Sequence, residues 1–212
     1  MTRGDIIVIS APSGSGKTTI CRALLSRVEK IVLSVSYTTR ERRLGEAGGK
    51  DYYYVGEQEF GNMVKCNEFL EYAKVFGNWY GTSRSVVEAI VSGGNDALLE
   101  IDVQGGGAVK AAIPDAVLIG ILPPDRETLR KRLFGRGRDS REDIERRLDE
   151  AWKEISELRK YDYIVVNRDL ETAIRQVECI VRAQRLRWER TKSVVDVILH
   201  EKGDGQDGSD NG

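Results

Sequence analysis

Apolar positions along the chain fall into two patterns. Five short runs, Ile6–Ile9, Ile31–Val35, Ala97–Ile101, Ala116–Leu122 and Tyr163–Val166, are nearly continuous and rich in leucine or β-branched residues. Strand side chains alternate between two faces, so a run without polar alternation predicts a strand covered on both, as in a parallel sheet between helices. Elsewhere apolar residues recur three or four apart. Ile20, Leu24 and Val28 form one such set, and Val87, Ile90 and Val91 form another between the cap candidate Ser83 and Gly93-Gly94. Ile144, Leu148, Ala151, Ile155 and Leu158 follow the cap candidates Asp139-Ser140, and Ile174, Val177 and Val181 mark a last long helix. Each set is one buried stripe on a helix. The alternation predicts an α/β fold, with a mostly parallel five-stranded core sheet flanked by helices.

Two segments interrupt it. Residues 36–82 mix Tyr, Gly and charged residues with strand-like pieces such as Asp51–Val55 and Phe69–Val75, which predicts a small mixed-sheet insertion. Residues 125–150 read as an arginine-rich helix–loop–helix about Gly135-Arg136-Gly137-Arg138. Eight arginines lie between Arg126 and Arg147, although the whole chain carries a net charge of only -1. A local cluster diluted by acids suits a small phosphate ligand better than duplex nucleic acid, so no nucleic-acid partner is expected. Residues 203–212 hold only Gly, Asp, Gln, Ser and Asn, too little apolar surface to offset ordering, and are expected to be a disordered tail.

No apolar run reaches the roughly 18 residues that a bilayer span needs, so no membrane partner is expected. Met1-Thr2-Arg3-Gly4-Asp5 enters the first strand without a signal-peptide pattern. Cys21, Cys66 and Cys179 are isolated and without metal-ligand spacing, as expected of reduced, partly buried residues in a cytoplasmic protein.

Candidate chemistry concentrates at Ala11-Pro12-Ser13-Gly14-Ser15-Gly16-Lys17-Thr18-Thr19, between the first predicted strand and the first helix. Amide N–H groups at a helix start have no internal partner, and the macrodipole adds partial positive charge there. Glycines let that backbone approach a phosphate closely. This is the pattern of a phosphate-binding loop, in which Lys17 would reach the β- and γ-phosphates of ATP and the Thr18 hydroxyl would bind Mg2+. The general pattern opens on Gly where this chain has Ala11. Such a loop identifies a nucleoside triphosphate site, not a reaction. Glu100 and Asp102 stand at the carboxyl end of the third predicted strand, where open α/β sheets place ligands, and Asp102 is expected to orient Mg2+ or its waters.

Further blocks carry a resemblance. Ser34-Val35-Ser36-Tyr37-Thr38-Thr39-Arg40, Arg43-Leu44-Gly45-Glu46 and Gly49-Lys50-Asp51-Tyr52 come first, then Phe69-Leu70-Glu71-Tyr72 and Gly77-Asn78-Trp79-Tyr80-Gly81-Thr82. Glu100-Ile101-Asp102-Val103-Gln104-Gly105, Leu122-Pro123-Pro124, Arg132-Leu133, Gly135-Arg136-Gly137 and Val166-Asn167 come after them. In this order, over about residues 4–190, the chain resembles the guanylate kinases, P-loop nucleoside monophosphate kinases that move a phosphoryl group from ATP to GMP.

The resemblance implies a GMP-binding region at 36–82, a lid at 125–150 and a core formed by the rest. It implies that Arg40 and Arg43 hold the GMP phosphate, where guanidinium forks suit a dianion, with hydroxyl bonds from Tyr52 and Tyr80. Guanine presents N1–H and N2 donors and an O6 acceptor, so a carboxylate and a hydroxyl can read it. By resemblance these are Glu71 and Thr82, with Ser36 nearby. Glu100, where many relatives have Asp, would contact substrate or metal-bound water. Arg136 and Arg147 would swing onto the transferring group, Arg132 and Arg138 would pack on adenine or the ATP phosphates, and Asn167 would lie near the adenine. The GMP acceptor oxygen is already ionised, so no general base is needed.

Three other readings stay open on sequence. A non-catalytic interaction module of this fold would typically have a damaged phosphate loop, and Gly16-Lys17-Thr18 is intact. A regulatory GTPase would need an Asn-Lys-x-Asp motif, which is absent. A kinase for another monophosphate is the third, and dGMP is left open as a second acceptor. Monomer and homo-oligomer are both compatible with the sequence.

Overall fold

The computed structural model describes residues 3–75, 77–134 and 141–201. In chain order the elements begin with β1 (Ile6–Ser10), α1 (Lys17–Arg27), β2 (Ile31–Leu33), β3 (Tyr37–Thr38), β4 (Tyr53–Tyr54) and α2 (Glu57–Lys65). Next come β5 (Phe69–Val75), β6 (Asn78–Ser83), α3 (Arg84–Ser92), β7 (Asp96–Glu100), α4 (Val103–Ala112) and β8 (Val117–Leu122). The remainder is α5 (Arg126–Phe134), α6 (Arg141–Glu157), a 3-10 turn at Leu158–Lys160, β9 (Tyr163–Val166), α7 (Leu170–Gln184) and α8 (Trp188–Glu201).

The five continuous apolar runs become one sheet in the order β2-β7-β1-β8-β9, with every pairing parallel. Its two faces carry separate cores, because alternate residues of β1 point opposite ways. Ile7 and Ile9 pack with Ile20 and Leu24 of α1 and Val177 and Val181 of α7. Ile6 and Val8 pack with Val87 and Val91 of α3 and Val109 of α4. Pairing of Ile9 with Glu100 sets the carboxyl ends of β1 and β7 side by side, so the loops leaving these two strands meet at one edge of the sheet.

Residues 37–83 form a second, mixed sheet in the order β4-β3-β6-β5. Ser83 caps α3 as its position predicts, its hydroxyl accepting from Val86 N–H at 3.4 Å. Leu129 and Leu133 of α5 pack on Leu148 and Ala151 of α6. The cap candidates Asp139-Ser140 and the tail at 203–212 lie outside the described residues. Cys21 is buried, but Cys66 and Cys179 are exposed, which corrects the partly buried reading of those two; all three are free thiols. At the far, amino-terminal edge of the sheet, Asp96 accepts from Asp5 N–H at 2.9 Å and pairs with Arg185 at 2.8 Å, while Arg190 of α8 pairs with Asp5 at 2.9 Å. No helix among the described residues is long and apolar enough to cross a membrane.

Candidate active site

The loop after β1 turns into α1 through two left-handed glycines, Gly14 (φ 88°) and Gly16 (φ 96°). A side chain at Gly16 would also meet the Asn167 amide nitrogen at 2.6 Å, so the position is closed twice over. Ala11 is not among the residues with positive φ, which explains why the chain tolerates a methyl where the general motif has glycine. Three side chains brace the loop. Asn167 Nδ2, buried after β9, donates to Ser15 O at 2.8 Å. Arg147 Nη2, from α6, donates to Ser13 Oγ at 2.7 Å. Lys17 Nζ reaches across to Ile101 O at 2.8 Å.

Beside the loop stand the two strand-end acids. Thr18 Oγ1 donates to Glu100 Oε1 at 2.5 Å, and Asp102 Oδ1 accepts from Gly105 N–H at 2.7 Å as the cap of α4. The Thr18 hydroxyl and the carboxylate oxygens form an all-oxygen donor set, which suits a hard cation such as Mg2+. Among the described residues no group of three or more acidic, histidine or cysteine side chains could hold a metal ion. A bound nucleotide's phosphates and water would have to complete such a shell.

A cavity of about 390 Å3 runs from this loop into the mixed sheet. Ser13, Gly14, Gly16, Lys17 and Thr18 line one end, and Ser36, Tyr52, Glu71 and Tyr80 line the other, with Glu100 and Asp102 also in its wall. Glu71 is 7% exposed, and burial pushes its carboxyl up to about 7, against the Thr82 hydroxyl that donates to Oε1 at 2.6 Å. The single Thr82 proton is therefore engaged by Glu71. Burial also pushes the Tyr52 hydroxyl up to about 12, so it stays a donor at any physiological pH.

Arg40 and Arg43 do not line this cavity. Arg40 lies behind the tyrosines, its guanidinium carbon 5.4 Å from the Tyr52 ring centre, and Nη2 donates to both Glu46 oxygens at 2.8 and 3.0 Å. Glu46 Oε2 also accepts from Arg43 N–H at 2.9 Å and from Tyr54 Oη at 2.7 Å, while Arg43 itself is exposed. The Arg40 hydrogen bonds, more than any other contact, hold the Glu46 carboxyl down to about 2. Arg132 Nη2 donates to Asn167 O at 3.1 Å. Arg136 and Arg138 fall outside the described residues.

Two residues that carry no assigned role on sequence alone belong to this site. Glu46 closes the block Arg43-Leu44-Gly45-Glu46, but its grip on Arg40 depends on how the loop folds back. Glu154, on the polar side of the α6 stripe, lines the cavity, and burial pushes its carboxyl up to about 7, with Asp102 adding repulsion. Arg147, seven residues earlier, lies on the same face of α6 by helical period, which is the one signal that places Glu154 toward the loop.

Comparison with known proteins matches this arrangement. The guanylate kinase family model covers residues 3–184. A guanylate kinase of Caldanaerobacter subterraneus subsp. tengcongensis is 43% identical over 94% of this chain and 97% of its own length. One of a Shewanella species is 46% identical over 87% of this chain and 89% of its own length. The crystal structure of guanylate kinase from Anaplasma phagocytophilum superposes with a TM-score of 0.73 at 38% identity, covering 88% of this chain and 89% of that one. Since the matched stretch contains the phosphate loop, the strand-end acids and the whole mixed-sheet half of the cavity, the chain belongs to the guanylate kinase family.

Proposed function

We propose that this chain transfers the terminal phosphoryl group of ATP to GMP, giving ADP and GDP. One observation carries the reading: a single cavity has a braced phosphate loop at one end and a buried carboxylate set to accept from a base at the other. Residues 36–82 would bind GMP, and 125–150 would act as the lid over ATP.

Positioning and charge neutralisation then supply the catalysis, because two polyanions must meet and the acceptor is already ionised. The loop amides and Lys17 would hold the β- and γ-phosphates, and Arg147, already against Ser13, would reach the transferring group together with Arg136. Arg132 and Arg138 would take the adenine side, with Asn167 acting on ATP through the loop it braces. Mg2+ would be held by Thr18 with Glu100 or Asp102, partly through water, and would supply further charge neutralisation across the phosphates. Arg40, Arg43, Tyr52 and Tyr80 would receive the GMP phosphate. Glu71 would read guanine N1–H and N2–H. Since Thr82 donates to Glu71, its first role would be to orient that carboxylate, which leaves Ser36 to donate to O6. A cytoplasmic location and use of dGMP complete the proposal.

Product formation from GMP, dGMP, AMP, UMP and dTMP, compared side by side with MgATP, tests it. GMP should exceed AMP in kcat/KM by about 10⁴-fold, because adenine leaves the buried carboxylate without its donors. Equal or better use of AMP or a pyrimidine nucleotide would overturn the assignment.

Glu46 gives a second test. A phosphate-binding arginine already paired with a carboxylate is either held ready or held back. Its side chain is only 12% exposed and lies over Tyr52, so the pair fixes Arg40 against the cavity wall. Glu46→Gln should therefore raise KM for GMP about tenfold, the scale of one charge-assisted hydrogen bond, with kcat and KM for ATP within about threefold of the parent. A fall in KM for GMP would show instead that Glu46 competes with the substrate phosphate.

A further inference from the structure

The first turn of α4 carries two successive buried glycines, Gly105 and Gly106. Glycine weakens a helix relative to alanine, so the pair stands there for what approaches it. A side-chain carbon at Gly105 would lie 2.7 Å from Glu71 Oε2. One at Gly106 would collide with the Tyr161 hydroxyl and lie 3.1 Å from Ser10 Oγ. Neighbouring residues point about 100° apart round a helix, so Glu71 and Tyr161 meet two different faces of one turn.

Tyr161 follows the 3-10 turn that ends α6, and its ring packs against the core that holds Val8, Val109 and Leu118. From there its hydroxyl donates to Val103 O at 3.3 Å. Ser10 Oγ, at the end of β1, donates to Asp102 O at 3.0 Å. Two hydroxyls thus hold two successive carbonyls where α4 begins. Burial pushes the Tyr161 hydroxyl up to about 12, so it stays a donor. Tyr161 lies outside the nucleotide cavity and lines a separate one of about 680 Å3 with Val103, Gln104 and Gly107. Any effect it has on the reaction therefore passes through α4.

That path ends on the Glu71 carboxylate. Its last torsion is broad, so neighbours set the plane of the group rather than a rotamer well. Thr82 holds Oε1 at 2.6 Å, and the backbone at Gly105 is the stop for Oε2. Two parallel hydrogen bonds to a base need that plane fixed to within about 10–20°. We propose that Tyr161 is a positioning residue for guanine recognition: with Ser10 it anchors the first turn of α4, whose backbone at Gly105 fixes the plane of Glu71. The proposal rests on the GMP reading given above.

Initial rates with GMP and with AMP, at saturating MgATP, test it in the parent, Tyr161→Phe, Gly106→Ala and the double variant. Tyr161→Phe should lower kcat/KM for GMP about tenfold, mostly through KM, which is the scale of one buried hydrogen bond. AMP offers Glu71 no donors, so its kcat/KM should stay within about twofold and the preference for GMP should fall. KM for ATP should also stay within about twofold. A purely structural loss would lower both acceptors alike. Gly106→Ala, which drives a methyl group into the Tyr161 hydroxyl, should reduce the preference at least as far. The double variant should lose less than the product of the two single losses, since both act on one contact. A parent that prefers GMP and a Tyr161→Phe variant with the same preference would overturn the inference and leave the GMP assignment standing. Losses that simply multiply in the double variant would overturn it too. A parent without preference for GMP would overturn both.

Discussion

Lys17→Ala is expected to lower the rate of GDP formation by roughly 10³-fold or more, the scale on which a single charge-stabilising group acts in phosphoryl transfer. Among the described residues Lys17 donates a hydrogen bond to Ile101 O and is only partly buried, so the fold loses about 1 kcal/mol at most without it. The loss should therefore appear in kcat, with the thermal transition lowered by at most about 4 °C. A further consequence is specific to this cavity. The Lys17 ammonium lowers the pKa of both Glu71 and Glu154, working against their burial. Without it both carboxyls should protonate at still higher pH, so the midpoint for GMP binding should move up from about 7. Near-parental turnover by Lys17→Ala would remove the lysine from the mechanism. An unmoved binding midpoint would show that ammonium and carboxylate do not sense one another.

How far the chain could be read in advance depended on whether a feature is local. All five core strands were legible from their apolar runs, but only the inner ones are covered on both faces: Ile6–Ile9 is buried throughout, whereas the edge strands β2 and β9 leave Val32, Ile164 and Val166 exposed, which corrects the expectation of cover on both faces there. The helix α3 was legible from Ser83 and Gly93, which mark its ends chemically. By contrast α4 was hidden: Gly105-Gly106-Gly107 reads as a loop, and the helix stands because Asp102 caps it. Those glycines serve tertiary contact, since a side chain at Gly106 would strike the Tyr161 hydroxyl at 2.0 Å and one at Gly105 the Glu71 carboxylate at 2.7 Å. The helix α2 was missed because it buries only Phe60. In the site, the phosphate loop was legible as a contiguous motif. The pairings Arg40–Glu46 and Asn167–Ser15 were not, since they depend on where separate loops come to rest. Thr82 shows the same limit. Its residue type names a hydroxyl, but only its position beside Glu71 says where the proton goes.

Glu71→Gln should produce the largest change in specificity. An ionised carboxylate accepts from N1–H and N2–H of guanine together, whereas an amide offers one acceptor and turns a donor on the other. The loss of one charge-assisted bond and the clash of two donors should lower kcat/KM for GMP by roughly 10²- to 10³-fold. AMP has neither donor, so its kcat/KM should not fall, and selectivity should collapse. The same residue sets a pH dependence. Burial raises the free carboxyl to about 7, so kcat/KM for GMP should fall about tenfold per unit below that pH. In the complex the base donors favour the ionised form, which keeps kcat level to lower pH. The substrate phosphate, losing its second proton near about 6, adds a break that Glu71→Gln should retain while losing the one near 7. Stability should move the opposite way. Because the folded carboxyl holds its proton from the ordinary 4.5 up to about 7, native stability declines as pH rises through that window. The glutamine variant has no such ionisation. Its thermal transition, relative to the parent, should climb between those two pH values and level off above. A variant that kept the break near 7, or gained no relative stability across the window, would place the titrating group elsewhere and leave guanine recognition to Ser36 and Thr82.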